Sequence, residues 1–183
     1  MTTHASGKLT LPVSDRDHVR GPATASVTLV EYGDYECPHC GRAYPIVEEL
    51  CRRFGDRMRF VFRNFPLTQV HEFAEVAAES AEAAAAQDRF WEMHHMLFTH
   101  QDALDTSHLV RYAGKLGLDA IGFARELAAH TFQTRVREDF MSGVRSGVNG
   151  TPTFFINGLR HDGSFDLPSL ADAIESAARP EGK

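Results

Sequence analysis

A chain of 183 residues with 43% hydrophobic content can bury one real core and has little room for a second. Its formal net charge of −6 argues against a nucleic-acid binder, which would carry a basic patch, and its apolar runs are too short for insertion into a membrane. Three cysteines are too few, and odd in number, for a structural disulfide framework.

Residues 1–24 carry Pro12, Gly21 and Pro22 and read as an N-terminal surface segment. Within it only Leu9 to Val13 is apolar, so the pattern of a secretory signal is missing and the expected address is cytoplasmic. Val27 to Tyr32 has the β-branched, apolar character of a central strand and runs through Gly33-Asp34-Tyr35-Glu36 into Cys37-Pro38-His39-Cys40. From Cys37 to about Phe54 the period becomes helical. Ala43, Ile46, Val47, Leu50, Cys51 and Phe54 form one apolar stripe, and Gly55-Asp56 is a stop signal. Arg59 to Phe65 reads as the next strand.

A helical insertion of about residues 68–130 follows. Phe73, Val76, Ala77, Ala81 and Ala84 form one stripe; Phe90, His94, Leu97 and Phe98 form another, with Trp91 as core of the block. Shorter amphipathic pieces lie near Leu109 to Leu116 and Ile121 to Leu127. A longer helix passes through Phe132, Val136, Phe140 and Val144, where Arg135, Arg137 and Arg145 alternate with acids as in a solvated face. Thr153 to Ile156 is a strand, Asn157-Gly158 a hairpin turn, and Asp166 caps a last helix reaching about Ala178. The order β-α-β, helical block, β-β-α predicts an α/β fold in one domain over residues 25–180.

Cys37 and Cys40 stand one helical turn apart, within disulfide reach. Cys37 lies at the helix N-terminus, where unpaired N–H groups and the helix dipole favour a thiolate, the nucleophile of disulfide exchange. Helical angles put Cys40 near the edge of the apolar stripe and Cys37 a further 60° or so away. Cys37 is therefore the expected exposed attacking thiol and Cys40 the sheltered one that resolves the mixed disulfide. Pro38 suits the first helical turn, where its missing N–H is harmless. His39 is expected to donate to the Cys37 thiolate or, when cationic, to repel its protonation; either makes the disulfide a better oxidant, while the charges of Glu36 and Asp34 oppose it. Zinc would want four ligands, and neither a second CxxC nor an HxxxH pair accompanies this one.

On these residues the chain resembles the DsbA family of the thioredoxin superfamily. The resemblance is carried by Val30 to Cys40, Phe60 to Leu67, Phe90 to His94, and Val148 to Gly158 with its Gly150-Thr151-Pro152-Thr153-Phe154. It implies a thioredoxin fold with a helical insertion and a cis-proline at Pro152 facing the CxxC. It further implies that the Thr151 backbone pairs with an extended substrate segment. Glu31 shares a strand face with Val27 and Leu29, an unfavourable place for an unpaired charge. The resemblance makes it a buried proton acceptor near Cys40; an ion pair with Arg63 on the next strand is the alternative. Cys51 lies ~16 Å along the helix from Cys40, too far to bridge, and reads as an inert core cysteine.

The expected function is thiol–disulfide exchange with protein or peptide thiols, oxidation slightly favoured, with a separate redox partner and no organic cofactor or metal. The alternative is a thioredoxin-fold binding module, a holdase or regulatory partner, that does not turn over.

Overall fold

The computed structural model describes residues 7–179; expectations for residues 1–6 and for the domain end at 180 lie outside that range. Five strands, β1 (His18–Arg20), β2 (Val27–Gly33), β3 (Met58–Asn64), β4 (Thr153–Ile156) and β5 (Leu159–Arg160), form one sheet in the order β1-β3-β2-β4-β5. β2 and β3 are parallel, joined by α1 (Pro38–Phe54); every other pairing is antiparallel. Between β3 and β4 come α2 (Ala74–Ala85), α3 (Phe90–Thr99), α4 (Thr106–Lys115), α5 (Ala120–Ala128) and α6 (Gln133–Arg145), and α7 (Leu167–Ala178) closes the order.

Alternation along the strands sorts the core into two faces. Val27 and Leu29 of β2, Phe60 and Phe62 of β3, and Phe154 and Ile156 of β4 pack with α1, α7 and the inserted helices. Val30, Tyr32, Val61 and Phe155 form the other face, where Phe65 stacks on Phe140 of α6 at 4.3 Å. The last hairpin follows its turn chemistry: Asn157 and Gly158 both take positive φ (48° and 82°), as a type I′ turn needs. Asp166 accepts the Ser169 N–H at 2.8 Å and so caps α7.

Two expectations are corrected. The segment before residue 24 does not simply lie over the surface. His18, Val19 and Arg20 pair with Phe62, Val61 and Phe60 as an edge strand, and Lys8 bridges to Leu159. A three-residue strand is too short to display alternation. It is tied down by Arg63, which is fully buried beneath the second face. Arg63 donates to both Asp17 oxygens (2.8 and 3.0 Å), the Leu11 and Pro12 carbonyls (2.9 and 3.2 Å) and the Tyr32 hydroxyl (2.9 Å). Five acceptors thus meet its five N–H groups.

The arginines of α6 are not one solvated face either. Arg137 and Arg145 are exposed, but Arg135 turns inward to Asp139, Glu82 (3.8 Å) and the Arg16 carbonyl (3.0 Å). Glu82 also meets His18 (2.9 Å) and the Asn64 amide (2.7 Å), so a polar cluster joins α2, α6 and both outer strands on that side. The Arg135–Asp139 spacing of four residues looks in sequence like a surface pair. Trp91 packs as expected, at 5.0 Å from Phe90 and 5.7 Å from Phe60, with Arg20 over its ring.

Asp17 is held below the usual aspartate range by Arg63 and the Ser14 N–H, against the opposing effect of burial. A carboxylate with depressed pKa stabilises the fold above its unfolded pKa, and that contribution is lost as pH falls through its folded value. Asp17→Ala is expected to cost about 3–5 kcal/mol in urea denaturation at pH 7, because it strands a buried guanidinium. The gap between variant and parent should narrow as pH falls below 3.8.

Candidate active site

The site is the turn between β2 and α1 together with the approach to β4. Asp34 shapes the turn: its Oδ1 accepts the Glu36 N–H (2.8 Å) and its carbonyl accepts the Cys37 N–H (3.2 Å). Its Oδ2 faces the loop after β3, meeting Leu67 N–H (2.9 Å) and His71 Nδ1 (2.8 Å). Glu36 likewise spends its carboxylate on the Phe73 N–H (2.6 Å). Both acids therefore brace the loop in front of α2, which is where the opposition expected from them goes.

Cys37 is the N-cap of α1 and Pro38 its first residue; the Cys37 carbonyl accepts the Gly41 N–H at 3.0 Å. Cys37 and Cys40 are free thiols. Cys37 is less exposed than expected, at 4% against 0% for Cys40, so the two differ more in acidity than in access. The Cys37 pKa falls from 9.0 to about 5. Donation by the Cys40 thiol is the largest cause; Thr151 and the backbone N–H groups of Cys40 and His39 add to it, against the cost of burial. Burial, the Cys37 sulfur and the Glu31 charge push Cys40 far the other way, although the Asp34 N–H donates to its sulfur at 3.4 Å.

His39 acts through its backbone rather than its ring. The side chain is exposed, and its Nδ1 lies 2.7 Å from Arg42 Nη2, so the expected donation to the thiolate is not made. Across from Cys37, the Thr151–Pro152 peptide is cis. The Cys37 thiol donates to the Thr151 carbonyl at 3.5 Å. Thr151 Oγ1 is buried without a hydrogen-bond partner among the described residues, which leaves its proton for a thiolate.

Glu31 lies under this pair, 2% exposed, and its Oε1 has no hydrogen-bond partner among the described residues. The ion pair with Arg63 is excluded by register: Glu31 stands beside Phe62 and Arg63 beside Tyr32, so the two side chains leave opposite faces of the sheet. Burial raises the Glu31 pKa from 4.5 to about 8, with Cys37 adding to the rise. Cys51 is half-buried rather than buried and takes an N–H from Arg20 at 3.2 Å; burial raises its pKa. No group of three or more His, Cys, Asp or Glu side chains able to hold a metal occurs among the described residues.

The sequence profile of the thioredoxin family matches residues 13–176. The chain belongs to that family. The fold resembles those of solved DsbA-family structures: the oxidised BdbD of Bacillus subtilis superposes with a TM-score of 0.82 at 26% identity, covering 94% of this chain and 97% of that one. A thioredoxin-like oxidoreductase from Silicibacter pomeroyi gives 0.79 at 28% identity over 90% and 93% of the chains. At 22% identity, α-DsbA1 of Wolbachia pipientis shares the fold (TM-score 0.80, covering 94% and 96%). Among curated relatives, the Na(+)/H(+) antiporter NhaA 3 of Salinispora tropica is 49% identical over 95% of this chain. NhaA 1 of Mycolicibacterium vanbaalenii is 46% identical over 94%. This thioredoxin-family chain spans only 28% of either relative's length. No helix among its described residues is long and apolar enough to cross a membrane.

Asp34 and Tyr35 lie inside the Val30 to Cys40 run but had no structural role assigned from sequence, and Gln101, which donates to the Tyr35 and Cys37 carbonyls (2.8 and 2.9 Å), lies in no motif. Only Asp34 had a signal, an Asp two residues before a second acid in a turn that must bend sharply.

A carboxyl with raised pKa costs the fold stability wherever the unfolded chain would ionise it, here increasingly from pH 4.5 to about 8. Glu31→Gln should therefore stabilise the reduced protein by about 2–4 kcal/mol at pH 7 and by little at pH 4, in paired denaturation curves. Equal effects at both pH values would show that Glu31 is ionised in the fold.

Proposed function

We propose that this chain is a thiol–disulfide oxidoreductase acting on protein or peptide thiols, run preferentially in the oxidising direction. The observation that carries the reading is the placement of two free thiols one helical turn apart, Cys37 at the N-cap of α1 against the cis Thr151–Pro152 peptide and Cys40 fully buried behind it, which drives their acidities apart, Cys37 down to about 5 and Cys40 far up. A thiolate stable at neutral pH is a good leaving group as well as a nucleophile, and its stability favours the reduced dithiol, which makes the disulfide oxidising.

In the oxidised enzyme a substrate thiolate attacks Cys37 Sγ. The S–S bond to Cys40 breaks, a Cys37–substrate disulfide forms, and Cys40 leaves as a thiolate. That sulfur is buried and takes a proton, for which the buried Glu31 carboxyl, protonated below about 8, would serve as donor. A second substrate thiolate then attacks the substrate sulfur of the mixed disulfide and expels the Cys37 thiolate. Two electrons have passed from the substrate dithiol to the enzyme, one proton rests on Cys40, and an external disulfide-type oxidant must restore the pair. Thr151, ahead of Pro152, would pair by its backbone with the extended substrate. The relatives called NhaA are matched over about a quarter of their length, so the reading concerns the thioredoxin-fold part alone.

Cys37→Ser is expected to abolish oxidation of a dithiol peptide, whereas Cys40→Ser should accumulate a mixed disulfide with it, visible by mass under non-reducing conditions. Full turnover by Cys37→Ser would refute the mechanism. A wild-type pair that never interconverts between oxidised and reduced forms would instead favour a binding module.

A further inference from the structure

The turn that carries the thiols is gripped from the side by the inserted helical block. Gln101, in the loop after α3, donates from Nε2 to the Tyr35 carbonyl (2.8 Å) and to the Cys37 carbonyl (2.9 Å). The same block holds Tyr35 by its ring: its hydroxyl lies 3.0 Å from His94 Nδ1, and Phe98 packs at 4.8 Å. Burial makes both assignments one-sided, since it raises the Tyr35 pKa and lowers that of His94, so the tyrosine donates and a neutral imidazole accepts.

One amide nitrogen spanning two carbonyls two residues apart fixes the distance between them, and with it the place of the Cys37 sulfur over the first turn of α1. The Cys37 carbonyl is shared between Gln101 and the Gly41 N–H, so the side-chain amide and the first bond of α1 are locked to one atom. Space for that amide exists only because residue 41 is glycine: a Cβ there would collide with Gln101 Oε1 and lie 2.7 Å from its Cδ. A neutral amide also brings donors without adding charge beside a thiolate.

We propose that Gln101 is a positioning residue of the thiol site, through which the inserted block holds the Cys37 turn so that the N–H groups of His39 and Cys40 face its sulfur. The inference rests on the redox reading of the site and deepens it: the block is part of the thiol machinery, not only a cover for the sheet. Gln101 reaches the site through these two carbonyls and makes no hydrogen bond to either sulfur among the described residues.

The test uses the whole protein and two readouts, the ultraviolet absorbance of the Cys37 thiolate against pH and the pH profile of exchange with a small disulfide. Two variants remove the donors. Gln101→Met keeps the size without charge, and Gln101→Glu keeps the shape but adds charge. Each should raise the Cys37 midpoint, Glu more than Met. A rise of about one unit from pH 5 cuts exchange about fivefold at pH 5 and leaves it nearly unchanged at pH 8. Gly41→Ala should reproduce the shift by displacing the amide. Combining it with Gln101→Met should add nothing, since both act on one contact. A purely structural role would lower the melting temperature without moving the midpoint. Variants that fold, by circular dichroism, and keep a midpoint near 5 overturn the proposal; should one fail to fold, the others carry the test. A wild-type midpoint near 9 overturns the redox reading itself.

Discussion

Two sulfurs, one proton and a dry environment set the terms for everything around them. In water a cysteine thiolate is solvated from all sides; here Cys37 is almost covered and must find its donors inside the protein. It finds them in the Cys40 thiol and in the N–H groups at the start of α1. Cys40 can give that hydrogen bond because it keeps its own proton, and it does so because it sits deeper, with Glu31 beneath it. The asymmetry is therefore cooperative: raising one pKa helps lower the other.

The fold supplies this arrangement by position. A parallel β2–β3 pair requires a crossover helix, so the N-terminus of α1 opens at the C-terminal end of β2. Donors arrive there without any charged residue being brought in. Negative charge is kept occupied elsewhere, Asp34 and Glu36 being turned to the backbone of the loop before α2. β4, antiparallel to β2, brings Thr151 and Pro152 to the same end of the sheet. The far face of the sheet has a separate task. There Arg63 and Asp17 bind the N-terminal segment to β3, and Arg135 joins α6 to the buried acids.

What could be read in the sequence was whatever is encoded locally. Of the helical stripe of α1, Ala43, Val47, Leu50 and Phe54 are buried and Ile46 and Cys51 half-buried; Asn157-Gly158 and Asp166 carry their geometry in their own residues. The CxxC was visible for the same reason. Features that depend on partners distant in sequence were not. Arg63 is an arginine in an apolar strand until Asp17, 46 residues away, explains it. Glu31 and Arg63 look like partners until the register puts them on opposite faces. His39 stands beside the thiolate in sequence, yet its ring points to solvent and Arg42. Gln101 has no pattern at all, because a single amide in a loop acquires meaning only from the two carbonyls it meets.

A stable Cys37 thiolate favours the reduced dithiol, and the reduction potential of the Cys37–Cys40 pair measures that preference. Thioredoxin's attacking thiol titrates near about 7 and its couple lies at about −270 mV. A thiolate with a pKa of about 5 gains roughly two kcal/mol more at pH 7, which for a two-electron couple is about 50 mV. Equilibration with glutathione buffers at pH 7 should accordingly place the pair at about −220 mV, shifted from thioredoxin toward DsbA at about −120 mV. A potential at or below about −270 mV would contradict the account.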